Sequence, residues 1–173
     1  GEAVMVLALV ALSAFPAALL IAAANDIYEF KIPNWISIAL FASFFISALL
    51  LRAPIALVAE GALLGLGALA FGFGLFAFKI VGGGDAKLLA AVAPWIGVSA
   101  LMNFLVNMAF AGGVLAVGLV LFRRTPSLPI YAQAPWVMRL HSKPKDIPYA
   151  VAIAAGGLIT FPQTRLFQLA FGG

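Results

Sequence analysis

The chain has 173 residues, 65% of them hydrophobic and 9% charged, with a formal net charge of +4 and a mean hydropathy of +1.15. An ordinary soluble domain carries about 25% charged residues, so this composition describes an all-α integral membrane protein rather than a soluble one. The absence of cysteine excludes disulfides and thiolate chemistry; a single histidine, His141, with few clustered acids argues against a protein-bound metal, and scattered basic residues without an aromatic platform argue against nucleic acid.

Uncharged runs locate the spans. Ala3 to Asn25 holds 23 residues without a charge, Ile32 to Leu51 holds 20, and Gly61 to Phe78 holds 18, the last span starting upstream near Pro54. The first run is read as a span and not a cleaved signal peptide, because no basic stretch precedes it. Leu88 to Phe122 holds 35 residues. A span needs about 20, so this run is too long for one helix. It carries a break at Pro94-Trp95-Ile96-Gly97 and reads as a hairpin, with a short helix from about Ala86 and a full one from about Ser99. Ile147 to Thr164, 18 residues, is the last span. The expectation is therefore one membrane-embedded domain over residues 1–173 with six transmembrane helices.

Charge sets the orientation. With both termini outside, Lys31, Lys79, Lys87, Arg123, Arg124, Arg139, Lys143 and Lys145 face the cytoplasm, and only Arg52 and Arg165 lie outside. That division obeys the positive-inside rule. The Pro-rich, basic stretch from Arg123 to Ile147, with Tyr131 and Trp136, is expected to lie at the interface on anionic lipid. Glycines 61, 65, 67, 72 and 74 crowd the third helix and point to close helix packing.

Against this apolar background the six acidic residues stand out. Asp26 lies in Asn25-Asp26-Ile27-Tyr28-Glu29-Phe30-Lys31-Ile32-Pro33-Asn34. Asp85 lies in Gly82-Gly83-Gly84-Asp85-Ala86-Lys87. The topology puts both on the cytoplasmic side. Two carboxylates able to share one proton are the minimum equipment of an aspartic protease. Each also has a simpler reading. Asp85 would serve as a helix N-cap, although Leu88 three residues on provides no capping box, and the three glycines before it would let the backbone turn sharply and a substrate chain approach. Cap and functional readings stand equal on spacing alone. Asp26 could be a solvated residue at a helix end, but a carboxylate there faces the unfavourable end of the helix dipole. Pro33 and Asn34 open the second helix.

Other polar residues carry weaker signals. Glu29 is expected to be exposed, Asn103 and Asn107 to bond between helices, Glu60 to reach headgroups or a neighbouring helix, His141 to sit in a loop, and Lys87 to pair with Asp85 or reach lipid phosphate. No Ser-His or Cys-His dyad can be built, and Gly82 to Lys87 lacks the phosphate-loop spacing.

These segments resemble the type IV prepilin peptidase family. Asp26 followed by Lys31-Ile32-Pro33-Asn34 is similar to its first-aspartate block. Gly82-Gly83-Gly84-Asp85-Ala86-Lys87-Leu88 is similar to its second, the GxGD block. Ile147-Pro148-Tyr149-Ala150 resembles the start of its last helix, with Ala150 where glycine is usual. The resemblance implies an aspartic endopeptidase of the bacterial cytoplasmic membrane. It would remove the short basic leader of prepilins or pseudopilins at the cytoplasmic face, with Asp26 and Asp85 as catalytic dyad and no metal or organic cofactor. It leaves Gly82, Gly83, Gly84, Lys87, Pro33 and Asn34 as loop-shaping or substrate-binding positions. The length fits the small branch serving tight-adherence (Flp) pili. Larger members have an added N-terminal cytoplasmic region and also N-methylate the new terminus; with the N-terminus leading directly into the first helix, methylation is not expected. From outside that class, a small proton- or cation-coupled transporter and a non-catalytic pilus-assembly protein remain as alternatives. The pilin cleaved and the oligomeric state are not legible.

The short helix carries one more expectation. From Ala86 to Gly97 it rises only about 18 Å at about 1.5 Å per residue, against a bilayer core of about 30 Å. If its far turn reaches the outer interface, the glycine loop lies below the headgroups. Irregular backbone at that depth requires a protein-lined, watery cleft.

Overall fold

The computed structural model describes residues 1–143 and 147–172. Lys145, expected on the cytoplasmic side, lies outside the described residues. All described regular structure is helical: α1 (Glu2–Glu29), α2 (Asn34–Leu50), α3 (Ile55–Ala77), α4 (Gly83–Arg124), α5 (Pro135–Ser142), α6 (Ala150–Thr160) and α7 (Arg165–Phe171), with 3-10 turns at Pro129–Gln133 and Phe161–Gln163. α1, α3 and α4 are each long and apolar enough to cross a membrane. α6 and α7 together also qualify, as one span bent by 50°, and α2 is a shorter apolar helix. Leu49, Ile55, Leu63, Phe71 and Phe110 are exposed over most of their surface. Soluble proteins rarely show such apolar exteriors; a lipid-facing one needs them.

The core is a seam. On α1 the buried residues are Ala8, Leu12, Phe15, Leu19, Ala22 and Asp26. They recur at alternating steps of four and three, the repeat of helices packed side by side. This face meets α2 and α6. Its middle is aromatic: Phe15 packs on Trp95 and on Phe161, with ring centroids 5.2 and 4.6 Å away. The buried Trp95 Nε1–H donates to the Leu40 carbonyl at 2.8 Å, so the polar handle of a large ring is satisfied. The seam continues past Ala22 to Asp26, so the packing that buries α1 also carries a carboxylate inward.

α4 consists of two arms. Gly97, at φ 72° and ψ 170°, interrupts it in backbone space open essentially to glycine alone. Residues 83–96 pack antiparallel to α3: a methyl group built on Gly72 would meet Ala86, on Gly65 the Ala90 carbonyl, and on Gly61 Pro94. Residues 98–124 pack antiparallel to α6. Asn103 donates to Gln163 at 2.7 Å and Asn107 to Thr160 at 3.0 Å, while Gly112 backs onto the Tyr149 ring. Tyr149 shares a cleft with residues 82–85, so the second arm returns to the level where the first began. The expected hairpin is present, with its helix opening at Gly83 instead of Ala86. Asn103 and Asn107 bond between helices as expected.

Several expectations are corrected. The last span does not end with the run from Ile147 to Thr164: α6 tightens into a 3-10 turn at Phe161–Gln163, where Pro162 lacks an N–H for the helical ladder, and past Thr164 the chain bends by 50° into α7. Thr164 caps the new helix by accepting from the Phe167 N–H. Only part of the glycine row on α3 serves packing, since Gly67 and Gly74 meet nothing within 4 Å. Glu60 does reach the neighbouring helix, with its Oε2 beside the Gly97 turn of α4, but that oxygen is buried without a hydrogen bond. The basic segment after α4, expected at the membrane interface, forms α5 and also contacts the bundle. Arg139 donates to the Tyr28 carbonyl, Arg123 Nε to the Leu140 carbonyl at 2.7 Å, and Tyr28 meets Trp136 edge-on. His141 belongs to this helix and not to a loop, with Nε2 2.8 Å from the Thr125 carbonyl oxygen.

Candidate active site

Three separate stretches of chain meet at one end of the bundle around a cleft of about 780 Å³. The first is the end of α1 and the short connection to α2. α1 stops at Phe30, which adopts the left-handed conformation at φ 53°, and Pro33, at φ −60°, is the N-cap of α2. The tight link holds Asp26, Lys31, Ile32 and Asn34 along one rim. The second is the glycine stretch and first turn of α4, with Gly82 to Asp85. The third is Ile147 and Tyr149 at the start of α6.

Asp26 is 6% exposed. Its Oδ2 accepts a hydrogen bond from the backbone N–H of Ala150 at 2.9 Å. The first turn of a helix has free N–H groups that favour anions, so α6 presents one of them to the carboxylate at the end of α1. Asp85 is half-buried and accepts from the backbone N–H of Gly82. It is not the N-cap: the cap is Gly82 and Asp85 stands three residues into the helix. A carboxylate at that position reaching back to the cap N–H is one half of a capping box, so the structural role is real but different from the expected one. The Asp26 charge also acts directly on Asp85. The fold thus brings both aspartates to the lining of one cleft.

The three glycines line the cleft but make no turn that needs a left-handed backbone. None of residues 82–84 has a positive φ; Gly82 is extended and Gly83 and Gly84 are already helical. Gly84 is instead a point of close approach, where a methyl group would lie 3.2 Å from Ile32 Cβ. A bare backbone there lets the glycine stretch close against the α1–α2 connection, so that both aspartates line one cleft. Lys87 does not pair with Asp85; its Nζ donates to Asn34 Oδ1 at 3.1 Å, tying α4 to the first turn of α2. Glu29 is exposed on the last turn of α1. Among the described residues no three His, Asp or Glu side chains gather as metal ligands.

Sequence reasoning missed one participant, the Ala150 N–H. A backbone donor has no side-chain signature. The available signal was Pro148-Tyr149-Ala150, which marks where a helix opens, and a helix opening is where free N–H groups are found.

The sequence model of the type IV leader peptidase family matches residues 13–117, a segment that includes both aspartates. No curated protein and no solved structure matches the chain.

Proposed function

The chain belongs to the type IV leader peptidase family, and from that premise we propose that it is a membrane aspartic endopeptidase. It removes the basic leader of prepilins or pseudopilins at the cytoplasmic membrane face, in the manner of the small tight-adherence branch. The observation that carries this reading is the meeting of Asp26 and Asp85 in one cleft.

The chemistry needs only the pair and a water. One carboxylate is ionised and takes a proton as the water oxygen attacks the scissile carbonyl carbon. The other, protonated, donates its hydrogen bond to the carbonyl oxygen. Collapse of the tetrahedral intermediate breaks the C–N bond, the nitrogen leaves with a proton, and the leader keeps the new carboxyl group. The pair titrates as a unit, and the roles exchange through the cycle. The Ala150 N–H commits one oxygen of Asp26 to the backbone, which holds the group in place and leaves the other oxygen for reaction. Gly82, Gly83 and Gly84 line the cleft beside the dyad, where an extended substrate backbone would lie.

In this reading the polypeptide crosses the bacterial cytoplasmic membrane six times, with the Gly97 turn and both termini outside and the cleft open to the cytoplasm. The basic residues of the α1–α2, α3–α4 and α4–α6 connections then lie inside. The protein acts without a metal or organic cofactor.

The test is co-expression with a prepilin and measurement of leader removal by mass. Removal that disappears in Asp26→Asn and in Asp85→Asn, both still membrane-inserted and folded, supports the dyad. Cleavage that persists in either single variant overturns it.

A further inference from the structure

A second depression lies next to the cleft. It is a groove of about 510 Å³ walled by α2 from Asn34 to Ala42 and by α3 from Gly65 to Phe73, with Ala90 and Ala91 of α4 as its floor. The α2 residues that line it, Asn34, Ser37, Ile38, Phe41 and Ala42, recur at the spacing of one helix face. Eight residue steps make the groove about 12 Å long at about 1.5 Å each, a little over two helical turns. Its far end is shut where the Phe41 and Phe44 rings close on Gly65 and Gly61. Its near end opens at Asn34, which also lines the cleft, and Lys87 braces that threshold.

We propose that this groove receives an apolar helix of the substrate, the membrane-embedded segment that follows the scissile bond. The inference rests on the leader-peptidase reading and adds where the uncut substrate lies. Three features select a helix over a lipid chain. The first is the floor and walls of Ala42, Gly65, Ala90 and Ala91, since small residues let a helix backbone approach closely. The second is Ser37, which is 7% exposed and whose Oγ has no hydrogen-bond partner. Ser43, one face away, satisfies itself on the Ala39 carbonyl at 2.6 Å. An acyl chain offers the Ser37 hydroxyl nothing, whereas a helix brings backbone carbonyls whose second lone pair can accept from it. The third is continuity: a chain leaving the dyad passes over Asn34 directly into the groove, so the leader remains in the cleft while the apolar part stays at membrane depth.

The test uses the absence of cysteine in the chain. Ile38→Cys and Leu66→Cys, each in an Asp85→Asn background, are placed in liposomes with a synthetic peptide. The peptide has a basic stretch followed by a Leu/Ala helix of about 20 residues and a single cysteine moved through the first two turns of that helix. Phe110→Cys, exposed on the second arm of α4, reports random lateral collision. Docking raises the effective concentration of the two thiols, so at least about tenfold more disulfide is expected at positions 38 and 66 than at 110. The yield should peak every three to four peptide positions. Ala42→Phe, which fills the groove, should reduce that yield. Yields equal to the position 110 control overturn the proposal; so does recovery of a bound phospholipid from the groove without excess disulfide. Either cysteine position suffices if the other fails to fold. The readouts separate the two ideas. Groove disulfides with no prepilin cleavage by the unaltered chain keep the groove and remove the peptidase reading. Cleavage without groove disulfides does the reverse.

Discussion

At the residue scale, each carboxylate has a structural bond that its amide can keep. An asparagine oxygen at position 26 can still accept from the Ala150 N–H, and one at position 85 can still accept from Gly82. Asp26→Asn and Asp85→Asn should therefore fold with an unchanged melting temperature while cleavage falls by about 10²-fold or more, the scale of a lost acid–base group. Thermal melts beside a cleavage assay check this; a parallel loss of stability and activity would point to a structural role instead. His141→Ala gives the opposite pattern. It removes the bond to the Thr125 carbonyl, for roughly 0.5–1.5 kcal/mol of stability, and cleavage is retained. The polar breaks holding Asp26 and Asp85 were legible because a charge in an apolar chain requires a reason. The role of Gly84 was not: its need for a bare backbone comes from Ile32, 52 positions away, and sequence spacing does not report that approach.

At the element scale, the glycines of α3 divide into two groups with different predicted behaviour. Gly72→Ile places a branched side chain where a single methyl group would already lie 2.8 Å from Ala86 Cβ. It should push α3 away from the first arm of α4, displace the neighbouring Asp85 and lower both melting temperature and cleavage. Gly67→Ala meets open space and should leave both unchanged or raise stability slightly. Gly97→Ala carries the cost of backbone conformation, about 1–3 kcal/mol, readable as a lower melting midpoint in detergent. The hairpin was visible in the sequence because 35 uncharged residues exceed one span. The continuation past Thr164 into α7 was not legible, because the run from Ile147 to Thr164 already had the length of a span and Arg165 ends its uncharged stretch. The start of α4 was misplaced by three residues because consecutive glycines suggest loop, and here two of them open the helix.

At the scale of the whole molecule, the proposed topology places α5 inside the cell. Ser142→Cys, the sole thiol in the chain, should react only with a reagent that reaches the cytoplasm, and labelling from outside would reverse the orientation. Composition announced a membrane protein at once, yet the seam carrying Asp26 was hidden, since a helix apolar on all sides shows no face until its neighbours are known. Chain order adds a further consequence. The two aspartates belong to the earlier part of the polypeptide, but the N–H that holds Asp26 arrives 124 residues after it. At about 5–20 residues per second, that interval lasts on the order of 6–25 s during synthesis. The nascent protein thus carries both carboxylates before the backbone donor that holds Asp26 has been made. In the proposed reading, competence to cut is in this sense dated by the opening of α6.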